Sequence, residues 1–267
     1  MKTDELIDML ANQSPAVDRQ IVARRFGTAI VIGLLLALLV LLTVFGIRPD
    51  IEEVAATPLF WAKLALPATL LAGALLVTTR LARPGVPAGN GWATVATPVV
   101  AVWLAALGLL LSVSANNRWA LVFGETWQVC PLNIALLSIP AFACVFWAIR
   151  GLAPTRLRLA GAAGGLLAGS LATLVYSLHC PEMSVAFWAV WYVLGMLIPT
   201  AVGALLDALD ALAAHHDVGD VRAGREEQVV LEVSAVRPQL HVDAVVHAAL
   251  EDAPVGQDAL EAEGVLP

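Results

Sequence analysis

The chain has 267 residues, of which 59% are hydrophobic and 14% are charged, and its formal net charge is −7. A typical soluble domain is about 45–50% apolar and about 25% charged, so this composition excludes an ordinary soluble domain and predicts a membrane protein. The charge is uneven, because residues 1–206 carry twelve Lys or Arg and nine Asp or Glu, whereas residues 207–267 carry three Arg and thirteen Asp or Glu.

A mostly polar arm, residues 1–27, precedes the first apolar run. Its candidate partner-binding residues are Asp4, Glu5, Leu6, Ile7 and Leu10. The apolar members recur at helical spacing, and the acidic members favour the first turn of a helix. A short acidic amphipathic helix suits a groove on a basic protein, whereas helices that lie on membranes favour Lys and Arg. The alternative is a solvated turn without a partner, since so short a helix is marginal alone.

Six apolar runs follow, each close to the roughly 20 residues that a helix needs to cross a bilayer. The predicted spans are residues 28–47, 59–79, 94–113, 132–149, 157–178 and 185–206. The fold class is therefore all-α, a polytopic bundle of six transmembrane helices. Lys63 is the one charged residue away from the span ends. We interpret it as an interfacial anchor that snorkels to the surface rather than as an ion site.

The positively charged residues predict the orientation of the bundle. Nine Lys or Arg fall in the arm and in the second and fourth loops, against three on the other side. By the positive-inside rule both termini are cytoplasmic, and loops 48–58, 114–131 and 179–184 face outward. The chain carries no nucleotide-binding motif, metalloprotease motif or catalytic triad, and no chain of charged groups within the spans. We therefore predict neither an enzyme nor a pump, and no cofactor.

Two of the three cysteines lie at the outer mouths of predicted spans, and each is followed by proline: Cys130 and Cys180. Adjacent antiparallel helices would bring these positions together on an oxidising side of the membrane. One interpretation is a structural disulfide, and the other is a redox or soft-metal sensor with thiolates as ligands. His179 is a candidate third metal ligand, although it is also an ordinary loop residue. Cys144 lies mid-span and is interpreted as a small buried apolar residue.

The segment 207–267 contains no Lys, Phe, Trp or Tyr and has too few bulky residues for a core. It predicts an acidic cytoplasmic tail that is disordered or weakly helical. The abrupt change after Leu206 also fits a frame-shifted extension of a GC-rich gene.

The opening sequence Met1–Leu10, the six spans and the two Cys-Pro pairs resemble the NrsF-type membrane anti-sigma factors. These are negative regulators of extracytoplasmic-function sigma factors in proteobacteria, and the resemblance covers about residues 1–206. It implies that the arm holds a sigma factor at the bacterial inner membrane and has no direct contact with nucleic acid. It also implies that Cys130 and Cys180, on the periplasmic side, detect heavy-metal or oxidative stress. Cys144 and the acidic tail match nothing in the family's pattern.

Two other functions stay open at the level of sequence. One is a small multi-pass permease or channel-like protein in which the two cysteines form a structural disulfide. The other is an assembly factor that scaffolds further membrane proteins. Transport by the purified protein in liposomes distinguishes the first of these from an anti-sigma factor, which instead retains a sigma factor through its arm.

Overall fold

The computed structural model describes residues 20–152 and 154–206 of the chain. Within these residues there are eight helices and no strand, and six of the helices are long and apolar enough to cross a membrane. In chain order the eight helices are α1 (Ile21–Val40, continued by a π-helical turn Leu41–Phe45), α2 (Ile51–Ala55), α3 (Pro58–Leu81), α4 (Gly91–Ser112), α5 (Ala115–Phe123), α6 (Cys130–Arg150), α7 (Leu157–Tyr176) and α8 (Val185–Leu206). All except the short helices α2 and α5 are candidate spans. The predicted all-α fold with six spanning helices is confirmed, and the six apolar helices indicate a membrane protein.

Helix α1 begins at Ile21, within the predicted arm and ahead of the predicted span 28–47. Val22 and Phe26 are buried in a cluster with residues from the end of α6. The last part of the predicted arm is therefore helical and packed. The predicted partner-binding residues of the arm and the acidic segment 207–267 lie outside the described residues.

Helix α7 lies at the centre of the bundle and is the most buried of the six spans. It packs against α6 and α3, while α1 packs on α6 and α4 packs on α3. Small residues allow the helices to approach closely in this way. A Cβ atom added at Gly165 of α7, for example, would overlap the carbonyl oxygen of Pro199 in α8.

The alternating helices place several features at one end of the bundle, which we call the cysteine end because Cys130 begins α6 there and Cys180 follows α7. The two π-helical turns, Leu41–Phe45 after α1 and Trp188–Tyr192 within α8, lie at the same end. Turns of this kind are rare and occur frequently at functional sites. The cysteine end is therefore the candidate functional site.

Candidate functional site

The structure brings Cys130 and Cys180 into contact. Helices α6 and α7 pack directly on each other, so the start of one lies beside the end of the other. Both side chains are fully buried and both are free thiols. Their sulfur atoms lie within hydrogen-bonding distance of each other. Two residues that are far apart in the sequence thus form one thiol pair.

Two cationic side chains converge on the backbone of Cys180. Lys63 Nζ donates a hydrogen bond to the Cys180 carbonyl oxygen at 2.6 Å, and Arg48 Nη1 donates to the same oxygen at 3.2 Å. Lys63 is 0% exposed, and no Asp or Glu of the described residues forms an ion pair with it. The interpretation of Lys63 as a snorkelling surface anchor is therefore wrong. Because α3 packs against α7, the Lys63 side chain turns inward, where the Cys180 carbonyl oxygen accepts a hydrogen bond from its ammonium group.

The two tyrosines of the chain, Tyr176 and Tyr192, complete the surroundings of the thiol pair. Lys63 Nζ lies 5.9 Å from the centre of the Tyr192 ring, which permits a cation–π interaction. The Tyr176 hydroxyl accepts a hydrogen bond from Asn133 Nδ2 at 3.5 Å. The Tyr192 hydroxyl is buried and makes no hydrogen bond of good geometry to a described residue. The site is thus a small polar cluster within an apolar bundle.

The pKa of the Cys180 thiol is lowered to about 6. The main cause is the hydrogen bond from the Cys130 thiol, which stabilises the Cys180 thiolate, and the Lys63 ammonium adds a favourable charge interaction. Burial acts in the opposite direction and does not outweigh them. Cys180 is therefore mostly thiolate at neutral pH, which is the form that attacks oxidants and binds soft metals.

The His179 ring contacts the segment after α1. Its Nδ1 atom lies 3.0 Å from the Gly46 carbonyl oxygen, and its ring packs between Phe45 and Tyr176 at centroid distances of 5.4 and 5.8 Å. Across residues 20–152 and 154–206, no three His, Cys, Asp or Glu side chains are grouped so that they could hold a metal ion. The three-ligand set that includes His179 is therefore not assembled, because its ring is engaged by the segment after α1.

The loop that carries Cys180 is also held from the other side. The Glu182 carboxylate accepts hydrogen bonds from the backbone N–H groups of Glu125 at 2.7 Å and Thr126 at 3.1 Å. Charge-assisted hydrogen bonds of this kind are stronger than neutral ones. The short loop between α7 and α8 is consequently fixed to the loop that leads into α6 as well as to Arg48 and Lys63.

A family model described as negative regulator of sigma F, NrsF, matches residues 10–209. The chain belongs to the NrsF family. The match includes all six spans of this NrsF chain and ends at residue 209, so most of the acidic segment lies beyond it. The resemblance drawn from the opening motif, the spans and the Cys-Pro pairs is confirmed at the level of the family.

Two curated relatives are similar over nearly their whole lengths. One, from Azospira oryzae and named "Probable anti-sigma-F factor NrsF", is 46% identical over 208 residues, which is 77% of this NrsF chain and 97% of the relative. The other, "Anti-sigma-F factor NrsF" from Caulobacter vibrioides, is 36% identical over 206 residues, covering 76% of this chain and 95% of the relative. No solved structure matches the chain.

Sequence reasoning missed four side chains of this NrsF site: Arg48, Lys63, Tyr176 and Tyr192. A signal for Lys63 was present, because an ionisable residue within a span is by default a candidate functional residue. The sequence signal for the tyrosines was weaker. The chain has only two, and both lie within twelve residues of Cys180 along the sequence. Arg48 resembled an ordinary loop residue, and only the folded structure reveals its contact with Cys180.

Proposed function

We propose that this NrsF chain is an anti-sigma factor of the bacterial inner membrane that binds an extracytoplasmic-function sigma factor in the cytoplasm. Both curated relatives are named as anti-sigma-F factors, and the distribution of Lys and Arg favours a cytoplasmic arm. On this orientation the cysteine end faces the periplasm. The partner is a protein, and the chain itself makes no direct contact with nucleic acid.

The observation that carries the regulatory part of the proposal is the contact between the Cys130 and Cys180 thiols. The Cys180 thiolate attacks an oxidant such as diamide, and the Cys130 thiol then loses its proton and displaces the reduced hydrazine, so that one S–S bond joins the two sulfurs and two electrons pass to the oxidant. A soft metal ion instead displaces the remaining proton from Cys130 and binds both sulfurs. In either case heavy-metal or oxidative stress changes the separation of the sulfurs and the charge beside Lys63, and we propose that this change releases the sigma factor.

The arm supplies the surface that holds the sigma factor. Leu6, Ile7 and Leu10 form its apolar stripe, with Asp4 and Glu5 beside them. An amphipathic helix that inserts its apolar face into a groove of the partner is a common mode of peptide recognition. The acidic residues favour a basic rim around that groove.

The test is a sigma-dependent reporter in cells that carry Cys130→Ser or Cys180→Ser. We expect repression without stress to be unchanged, because the arm is intact, and induction by diamide or Cd²⁺ to be lost. Cys144→Ser is the matched control and should respond like the natural protein. Normal induction in either of the first two variants would refute sensing by the thiol pair.

The permease and scaffold alternatives are not proposed, because both curated relatives are named as regulators of a sigma factor. The NrsF family is regulatory, and we assign the chain no catalytic activity.

A further inference from the structure

The segment that follows α1 is joined to the loop that carries Cys180. The backbone N–H of Arg48 donates a hydrogen bond to the Leu178 carbonyl oxygen at 3.2 Å. The carbonyl oxygen of Gly46 lies 3.0 Å from His179 Nδ1. Gly46 has a φ of +76°, a conformation that other residues adopt only with strain, and this turn ends the helix and presents the carbonyl to His179.

The Arg48 side chain adds a second connection between the same two segments. Its Nη1 donates to the carbonyl oxygens of Cys180 at 3.2 Å and Pro181 at 3.4 Å. Its Nε and Nη2 atoms donate to the two carboxylate oxygens of Asp50, each at 2.7 Å. A bidentate pair of this type fixes the plane of the guanidinium group. Arg48 is largely buried, so a displacement of the Cys180 backbone acts directly on the chain that leaves α1.

The last turn of the first span is π-helical. The N–H of Gly46 donates to the Leu41 carbonyl oxygen at 2.7 Å, which is the i to i+5 pattern of a π-helix. A π-helical turn holds one more residue than the α-helical turn it interrupts. Conversion to an α-helix would move the residues beyond it by about 1.5 Å along the axis and about 100° around it. Coupling between distant sites requires a two-state element of this kind.

Disulfide formation supplies a displacement of similar size. Two sulfur atoms in a hydrogen bond must approach by roughly 1–2 Å to reach an S–S bond length of about 2.05 Å. Cys130 begins α6, which packs against the central helix α7, whereas Cys180 lies on a loop. A displacement of Cys180 is therefore passed to the groups that are hydrogen-bonded to its loop.

We propose that Arg48 passes the change at Cys180 to α1, and that the π-helical turn Leu41–Phe45 switches in response. This inference rests on the proposed function and names the span through which release occurs. Helix α1 includes the last residues of the arm from Ile21 onward, so a rotation of α1 is passed to the part of the chain that carries Leu6, Ile7 and Leu10.

The experiment uses the full-length protein in cells and measures two quantities, free thiol at Cys130 and Cys180 and expression of a sigma-dependent reporter. In Arg48→Gln the diamide concentration is adjusted until the two thiols are oxidised to the same extent as in the natural protein. We expect reporter induction to fall by about fivefold or more, the lower end of typical coupling between sites. Arg118→Gln is the matched control, since Arg118 is an exposed arginine whose Nε donates to Val113 at 3.2 Å, and it should be induced normally.

Oxidation together with full induction in Arg48→Gln would overturn the proposal. If the thiols of the natural protein were not oxidised under inducing conditions, the proposed function would fail and this inference would fail with it. The thiol measurement therefore distinguishes a failure of the proposed function from a failure of the role of Arg48.

A second variant tests the π-helical turn. Deletion of Thr43, which is exposed on the surface of the helix, removes the extra residue and allows an uninterrupted α-helix. We expect reporter expression without oxidant to be about fivefold or more higher than with the natural protein. Membrane levels and diamide oxidation of the thiol pair should stay normal, which separates a switched protein from an unfolded one. Unchanged repression in this variant would contradict the role of the turn.

Discussion

The pH dependence of Cys180 reactivity follows directly from the structure of the thiol pair. With a pKa of about 6, the thiolate fraction of Cys180 is about 0.9 at pH 7 and about 0.1 at pH 5. Its alkylation rate should therefore fall about ninefold or tenfold from pH 7 to pH 5 and rise by only about 10% from pH 7 to pH 8. An ordinary thiol with a pKa of about 8.5 would instead react about eightfold faster at pH 8 than at pH 7.

The assay is the initial rate of alkylation of Cys180 by a small uncharged reagent in isolated membranes, read by peptide mass spectrometry. Because Cys180 is buried, the reaction requires a local opening that slows it at every pH and leaves the ratios between pH values unchanged. In Cys130→Ala the hydrogen-bond donor is lost, so the pKa of Cys180 should rise and the profile should move to higher pH. A severalfold increase from pH 7 to pH 8 in the natural protein would refute the described electrostatics of the pair.

Two further predictions concern the arm and the centre of the bundle. Replacing Leu6 and Leu10 together with Asp should release the sigma factor without stress, measured by the reporter, and unchanged repression would exclude the arm as the binding element. Gly165→Ala should destabilise the bundle by about 1–3 kcal/mol, because the new Cβ would overlap the Pro199 carbonyl. Thermal aggregation of the detergent-purified protein measures this effect. Gly108→Ala is the control, since its Cβ meets nothing within 4 Å, and equal melting of the two variants would contradict the packing argument.

The number and order of the spans could be predicted from the sequence because the six apolar runs are long and are separated by charged or Pro-Gly segments. The packing of the residues before the first apolar run could not, since nothing in the sequence around Arg24 and Arg25 indicates that Phe26 is buried against α6. The two π-helical turns could not be predicted from the sequence either. A run that is apolar on every side has no hydrophobic period from which a change of helical register can be read.

The candidate site was predictable in part. Two cysteines at the mouths of successive spans suggested a pair, because antiparallel neighbours bring such positions together. Which way Lys63 turns depends on the face of α3 that packs against α7, and composition does not specify that face. The position of the His179 ring depends on the Gly46 carbonyl, which comes from a segment more than a hundred residues earlier. Tertiary contacts of this kind decide the roles of single polar residues in a bundle.

The most direct test of the central proposal is fractionation of the cognate sigma factor between membranes and the soluble phase, before and after a brief exposure of cells to diamide. We expect the sigma factor to be held on membranes that contain the natural protein and to become soluble after oxidation, while membranes with Cys130→Ser retain it. A sigma factor that is soluble under both conditions would contradict anchoring by this chain. One that stays on the membrane after complete oxidation of Cys130 and Cys180 would contradict release by the thiol pair.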